Sequence, residues 1–292
     1  MKIRLLFILC ILSIPLYGQE IALTFDDAPT PDGPFYTGME RTDRILSQLK
    51  DAGVNEVAFF VITNQINKES QKRLLKYEQA GHRLANHTNS HQWVHQIGIQ
   101  AYIKDIIIAD SKLRKYKSFS PWFRYPFLNE GKPESARDSI RAALKGLGLT
   151  NGYVTIDNYD WYLNGLYRTA LRDGKQIDED LLKEIYIDHV WKSIQFYDTI
   201  AKKTLGRSPK HVLLLHENDL SAKFLKDLIE FIRKNGWKII SPTEAYTDPI
   251  ADQPPDVLLI TRDVWLRLQE NEALLRRSLY RSPRMKLILT RW

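Results

Sequence analysis

The chain has 292 residues, a formal charge of +7 and a single cysteine, Cys10, which rules out an internal disulfide framework and a cysteine-built metal cluster. Its 42 basic residues are scattered rather than gathered into a dense tract, so they read as solvated surface charge, and no nucleic-acid partner is expected.

In chain order, Lys2 and Arg4 precede an apolar run over 5–14, and the small Gly18 follows, the pattern of a secretory signal peptide over 1–18. The run is shorter than the roughly 20 apolar residues that span a bilayer, so no integral membrane segment is expected after cleavage, and Cys10 would leave with the signal. The protein is expected to be exported, either to a periplasm or outside the cell. Residues 19–249 hold no Gly/Ser-rich linker and no repeat, and are long enough for one barrel domain, which commonly takes roughly 250 residues.

Short β-rich apolar runs occur at 21–25, 56–62, 82–85, 122–125, 152–156, 212–215 and 237–240. Between them lie helix-like stretches at 41–52, 69–80, 102–116, 135–145, 178–203 and 222–235. This alternation predicts an α/β fold with a parallel sheet, and about seven strand–helix units favour a closed or nearly closed (β/α)7–8 barrel. No Gly-rich phosphate loop follows the first strand. Asp26, Asp27, His87, Arg124, Asp157, Asp160 and His216 all fall at strand ends, the rim where barrels carry their active sites. Pro254 and Pro255 lie near the start of a C-terminal extension, 250–292, expected to pack on the barrel.

His87 and His91 stand four residues apart in Asn86-His87-Thr88-Asn89-Ser90-His91, so a helical turn there would put both imidazoles on one face. Thr88 stands where a zincin would have its glutamate, so the pair needs a third ligand from elsewhere. Thr24-Phe25-Asp26-Asp27-Ala28-Pro29 ends an apolar strand with adjacent carboxylates, which a nearby cation would relieve. Two imidazoles and one carboxylate make an open metal site, and the remaining carboxylate is free to act as a general base.

Phe123-Arg124-Tyr125-Pro126-Phe127, Asp157-Asn158-Tyr159-Asp160-Trp161 and Leu213-Leu214-Leu215-His216-Glu217 end three further strands. With these segments the chain resembles the polysaccharide deacetylases that share the NodB homology domain, carbohydrate esterase family 4, over about 21–249. The resemblance implies a distorted (β/α) barrel and removal of acetyl groups from a carbohydrate polymer or oligosaccharide, N-linked on amino sugars of peptidoglycan, chitin-like or related glycans. It implies Asp26 as general base, oriented by Arg124, and Asp27, His87 and His91 as ligands of one divalent metal ion, zinc before cobalt or nickel. His216 becomes the general acid held by Asp160, the backbone N–H of Tyr125 an oxyanion donor, and Trp161 and Leu214 walls of the acetyl pocket.

Ala28 departs from the family's glycine and would be strained if that position required positive φ. Three other readings stand beside the N-deacetylase: an O-acetyl esterase, a non-haem iron oxygenase built on the same two-His, one-carboxylate set, and a catalytically silent glycan-binding protein.

Overall fold

A computed structural model describes residues 18–253. The export segment expected over 1–18 lies outside these residues apart from Gly18, as does the C-terminal extension from residue 254 onward. No helix among the described residues is long and apolar enough to cross a membrane.

The strands are β1 (Glu20–Ala28), β2 (Ala58–Val61), β3 (Arg83–Asn86), β4 (Phe119–Phe123), β5 (Thr150–Asn151), β6 (His211–His216) and β7 (Lys238–Ile240). All pair in parallel, in the order β5-β4-β3-β2-β1-β6. β7 pairs with the first residues of β1, on the edge that β2 takes further along. The helices are α1 (Gly38–Asp51), α2 (Lys68–Gln79), α3 (Val94–Ile97), α4 (Ile99–Leu113), α5 (Glu134–Gly146), α6 (Asp160–Arg172), α7 (Glu179–Leu205), α8 (Asp219–Lys234) and α9 (Pro242–Ala245).

β5 has only two residues, yet the chain continues along the sheet. The Gly152 N–H donates to the Phe123 carbonyl, those of Thr155 and Ile156 donate to Val212, and that of Leu214 donates back to Ile156. One irregular run, 150–156, thus joins β4 to β6 and curls the sheet into the expected distorted barrel.

Alternation along the strands sorts side chains between two faces. Ile21, Leu23, Phe25, Phe59, Leu84, Leu213 and Leu215 enter the large core shared with α1, α2, α7 and α8. The concave face carries smaller groups: Ala22 and Val212 meet Tyr153 and Tyr246, while Ala58, Phe60 and Ala85 meet Trp122 and Tyr246. Asp26 continues the Ala22–Thr24 series and His216 the Val212–Leu214 series, so the period of two sends both into the concavity. Small residues in these series leave room for polar side chains inside the curl.

Local chemistry explains several boundaries. Thr37 and Glu40 form a capping box at α1, and Asn218 caps α8 by accepting from the Ser221 N–H. β4 ends one residue before Arg124, so Arg124 and Tyr125 follow the strand rather than belong to it. The strand expected over 152–156 is the irregular seam. Asp160 opens α6, a helix that periodicity did not reveal because Asn164 and Gly165 weaken it; burial of Leu163, Tyr167 and Ala170 holds it.

Candidate active site

The concave face opens into a cleft of about 400 Å³ lined by Asp26, Asp27, His87, His91, Asp157, Leu214 and His216, with Trp93, Phe127, Leu128, Tyr159 and Trp161 around them. Seven of the ten expected site residues, Trp161 among them, therefore line one cavity. Arg124 and Asp160 lie behind it, each bonded to a lining residue.

Asp26 is buried, and its Oδ1 accepts from Arg124 Nη1 at 2.6 Å. The guanidinium is itself fixed on every side: it donates to the Gly152 carbonyl, the Thr24 hydroxyl and the Tyr246 hydroxyl, and lies 3.8 Å from the centre of the Phe60 ring. Thr24 and Tyr246 were not singled out in the sequence as parts of this support. Only the fold places the Tyr246 hydroxyl against Arg124.

His87 and His91 converge as expected, with ring centres 4.9 Å apart, but no helix brings them together. His87 extends β3, and the chain then turns through positive φ at Thr88 (66°) and His91 (57°). Asn86 accepts from the Thr88 N–H, and the Thr88 hydroxyl accepts from the His91 N–H. The buried Asp105 carboxylate of α4 accepts from the N–H groups of Asn89 and Ser90 and from the Ser90 hydroxyl. These bonds satisfy a turn whose backbone is otherwise unfavourable for side-chain-bearing residues.

The positive φ at the first motif belongs to Asp27 (65°) rather than Ala28, so the alanine carries none of the strain that a glycine there would relieve. Its loop is pinned from behind. Glu217 accepts from the Thr30 N–H and the Tyr77 hydroxyl and pairs with Arg73, which donates to the Thr30 carbonyl. Arg41 bonds the carbonyls of Thr30 and Pro31 and pairs with Asp219 at 2.7 Å. All four charges are buried, where pairing survives desolvation only with this density of hydrogen bonds.

Asp27 Oδ1 is a buried polar atom without a hydrogen-bond partner. The Nε2 atoms of His91 and His87 lie 3.2 and 3.6 Å from it. Two ligands bonded at zinc distances and a tetrahedral angle stand about 3.4 Å apart, so the three donors fit one divalent cation. His87 Nδ1–H donates to the Arg124 carbonyl at 2.8 Å, which leaves Nε2 as the lone-pair nitrogen. Burial, then the neighbouring His87, lowers the His91 pKa to about 4, keeping it a neutral ligand at pH 7. Burial opposes ionisation of Asp27, yet His87, His216 and His91 together hold its carboxyl well below the usual range.

His216 Nδ1 bonds Asp160 Oδ1 at 2.7 Å, and Asp160 also accepts from the His216 N–H and Asn218 Nδ2. Burial alone would lower the His216 pKa, but Asp160, Asp27 and Asp26 outweigh it and raise the pKa to about 10. Asn158, another residue the sequence did not flag, accepts from the Asp160 N–H and donates to the Leu214 carbonyl, locking Asp160 to the barrel. His189 accepts from the Tyr159 N–H and so steadies the same loop.

Tyr125 does not itself line the cleft. Its ring packs in a side cluster and the residue lines a neighbouring cavity, whereas Phe127, two residues on, lines the cleft. Neither N–H finds an acceptor among the described residues. The segment 168–203 contributes no residue to the cleft.

Residues 15–152 match the polysaccharide deacetylase family. A peptidoglycan-N-acetylglucosamine deacetylase of Bacillus cereus is 31% identical over 113 residues, covering 38% of this chain and 37% of that relative, so the match spans little more than a third of its length. Among solved structures, peptidoglycan deacetylase PdaC from Bacillus subtilis superposes with a TM-score of 0.52 at 18% identity, covering 89% of this chain and 97% of that one. A CE4 family pseudoenzyme from Bacillus anthracis gives 0.54 at 16% identity, covering 78% and 66%. The structural likenesses establish the shared fold, and over 15–152 the sequence is similar to the polysaccharide deacetylase family.

Proposed function

We propose that the protein is an exported, metal-dependent deacetylase that hydrolyses acetyl groups, N-linked on amino sugars of peptidoglycan or a chitin-like glycan. The observation that carries this reading is the convergence in one cleft of an Arg-paired carboxylate, an Asp-paired imidazole and a three-donor metal set. A divalent cation held by Asp27, His87 and His91, zinc before cobalt or nickel, would supply a Lewis acid that polarises the acetyl carbonyl and acidifies water.

Asp26 Oδ1 is engaged by Arg124, so Oδ2 is the oxygen free to take a proton from the attacking water. Attack on the carbonyl carbon gives a tetrahedral oxyanion, to which the backbone N–H of Tyr125 or that of Phe127, which lines the cleft, would donate. His216, protonated at neutral pH, passes its Nε2 proton to the amine as the C–N bond breaks, and Asp160 keeps the ring aligned. Leu214 and Trp161 offer an apolar wall to the acetyl methyl group.

The test is acetate release from chitooligosaccharides, peptidoglycan and acetylated xylan, with native protein, chelated protein and Asp26→Asn. Release that vanishes in both treatments supports the mechanism, and release that survives both sinks it. Preference for the xylan would mean an O-acetyl esterase, and glycan binding without release from any substrate a silent binding protein.

A further inference from the structure

Two of the five large apolar side chains exposed among the described residues, Phe127 (40%) and Trp161 (48%), line the cleft. Phe127 stacks on Trp93 with ring centres 4.0 Å apart and planes 4° from parallel. Two other stacked pairs, Phe25–Phe59 and Phe59–Tyr77, lie wholly inside the core, where burial accounts for them. Burial does not account for Trp93–Phe127.

Its placement is held against local preference, since Phe127 (φ 59°) and Leu128 (φ 53°) both sit in the left-handed region although neither is glycine. The stack begins beside the metal-site histidine, with the Phe127 ring 4.5 Å from that of His91. It leads to Trp93, and Tyr159 and Trp161, the chain neighbours of Asp160, add two further aromatic rings to the cleft lining. The acyl site therefore has aromatic surface next to both the ligand set and the acid.

A flat aromatic face packs well against a flat apolar surface. A pyranose with equatorial substituents presents its C–H bonds to its two faces and meets that need. We propose that the Trp93–Phe127 stack is a binding platform for a neighbouring pyranose ring, so that the protein takes a β-linked oligomer across the cleft and discriminates against a single sugar. This rests on the deacetylase reading for the identity of the reacting group, but not for the binding itself.

The experiment has two arms. In the first, kcat/KM for acetate release is measured along chitobiose to chitohexaose with native protein, Trp93→Ala and Trp93→Phe. The native protein gains efficiency with length; Trp93→Ala loses about tenfold of that gain, a size typical of removing one stacking aromatic, with the loss in KM rather than kcat, and Trp93→Phe restores most of it. A loss equal at every length, or one confined to kcat, overturns the platform.

In the second arm, chitohexaose is titrated into the Asp26→Asn protein with and without Trp93→Ala. About tenfold weaker binding is expected when the indole is removed. Weaker binding with no acetate release from native protein at any length would keep the platform and remove the deacetylase reading. Acetate release by native protein with binding indifferent to Trp93 would do the reverse, and no binding with no release would remove both.

Discussion

Strand β6 carries a histidine at each end, and each meets an aspartate: His211 with Asp198 at 3.3 Å, His216 with Asp160 at 2.7 Å. The two pairs look alike in composition. His211 is fully buried and its second nitrogen is taken by the Thr155 hydroxyl at 3.0 Å, so both ring positions are spent on holding the barrel seam to α7. His216 bonds Asp160 through Nδ1, while its Nε2 makes no hydrogen bond among the described residues and lies 4.0 Å from the Asp27 carboxylate. Chemistry resides in the nitrogen left over beside a cavity, and an Asp–His bond without one is scaffolding.

The largest way to break this contrast is His216→Ala, expected to lower acetate release by about 10²–10⁴-fold, the usual range for a lost general acid. His211→Ala, assayed per folded molecule, should retain native kcat; equal loss in both variants would erase the distinction. Saturating metal should raise Tm in the native protein and in His211→Ala by the same several degrees, corresponding to about 2.7 kcal/mol at a hundredfold excess over Kd. His91→Ala should show no such rise in a thermal melt with and without chelator. Next comes stability itself: His211→Ala leaves the sealed Asp198 short of a partner, at about 1–3 kcal/mol, read as a lower denaturant midpoint.

The smallest effect is a difference of sign with pH, measured on metal-free protein. Burial would raise the Asp198 pKa, but His211, Lys202, Ser208 and Gln19 hold it far below its ordinary 3.8. Its stabilisation is therefore present above pH 3.8 and drains away as acid is added. The His216 pKa is raised from 6.5 to about 10, so its stabilisation is complete below pH 6.5 and fades as pH climbs toward 10. In Tm against pH, Asp198→Asn should flatten the acid limb and Asp160→Asn the alkaline one; a reversed assignment would contradict the reading.

Much of the site was legible because strand ends in a parallel barrel face one rim, and Asp26, Asp27, His87, Arg124 and His216 all lie at or just past such ends. The convergence of His87 and His91 was legible while its cause was not: a 3.6-residue period suggested a helix, but Asp105 and Thr88 stabilise a left-handed turn that no pattern announces. Glu217, Arg73, Arg41 and Asp219 read as ordinary surface charges in sequence. Only contacts across 144 residues, as between Arg73 and Glu217, reveal them as the buried brace of the Asp27 loop. α6 escaped notice for the related reason that tertiary burial, not propensity, sustains it.

The run 150–156 has a consequence for motion. Wherever a ring is closed by one irregular stretch with a handful of hydrogen bonds, that stretch is the natural place for the ring to open, and local opening is read by amide exchange. Leu214 donates its amide to Ile156 in the seam while its side chain lines the cleft. The Leu214 proton should accordingly exchange with solvent sooner than those of Phe25 or Phe59 in the interior of the sheet. Each opening would also shift the wall proposed for the acetyl methyl, so the barrel's weakest joint and the cleft would breathe together.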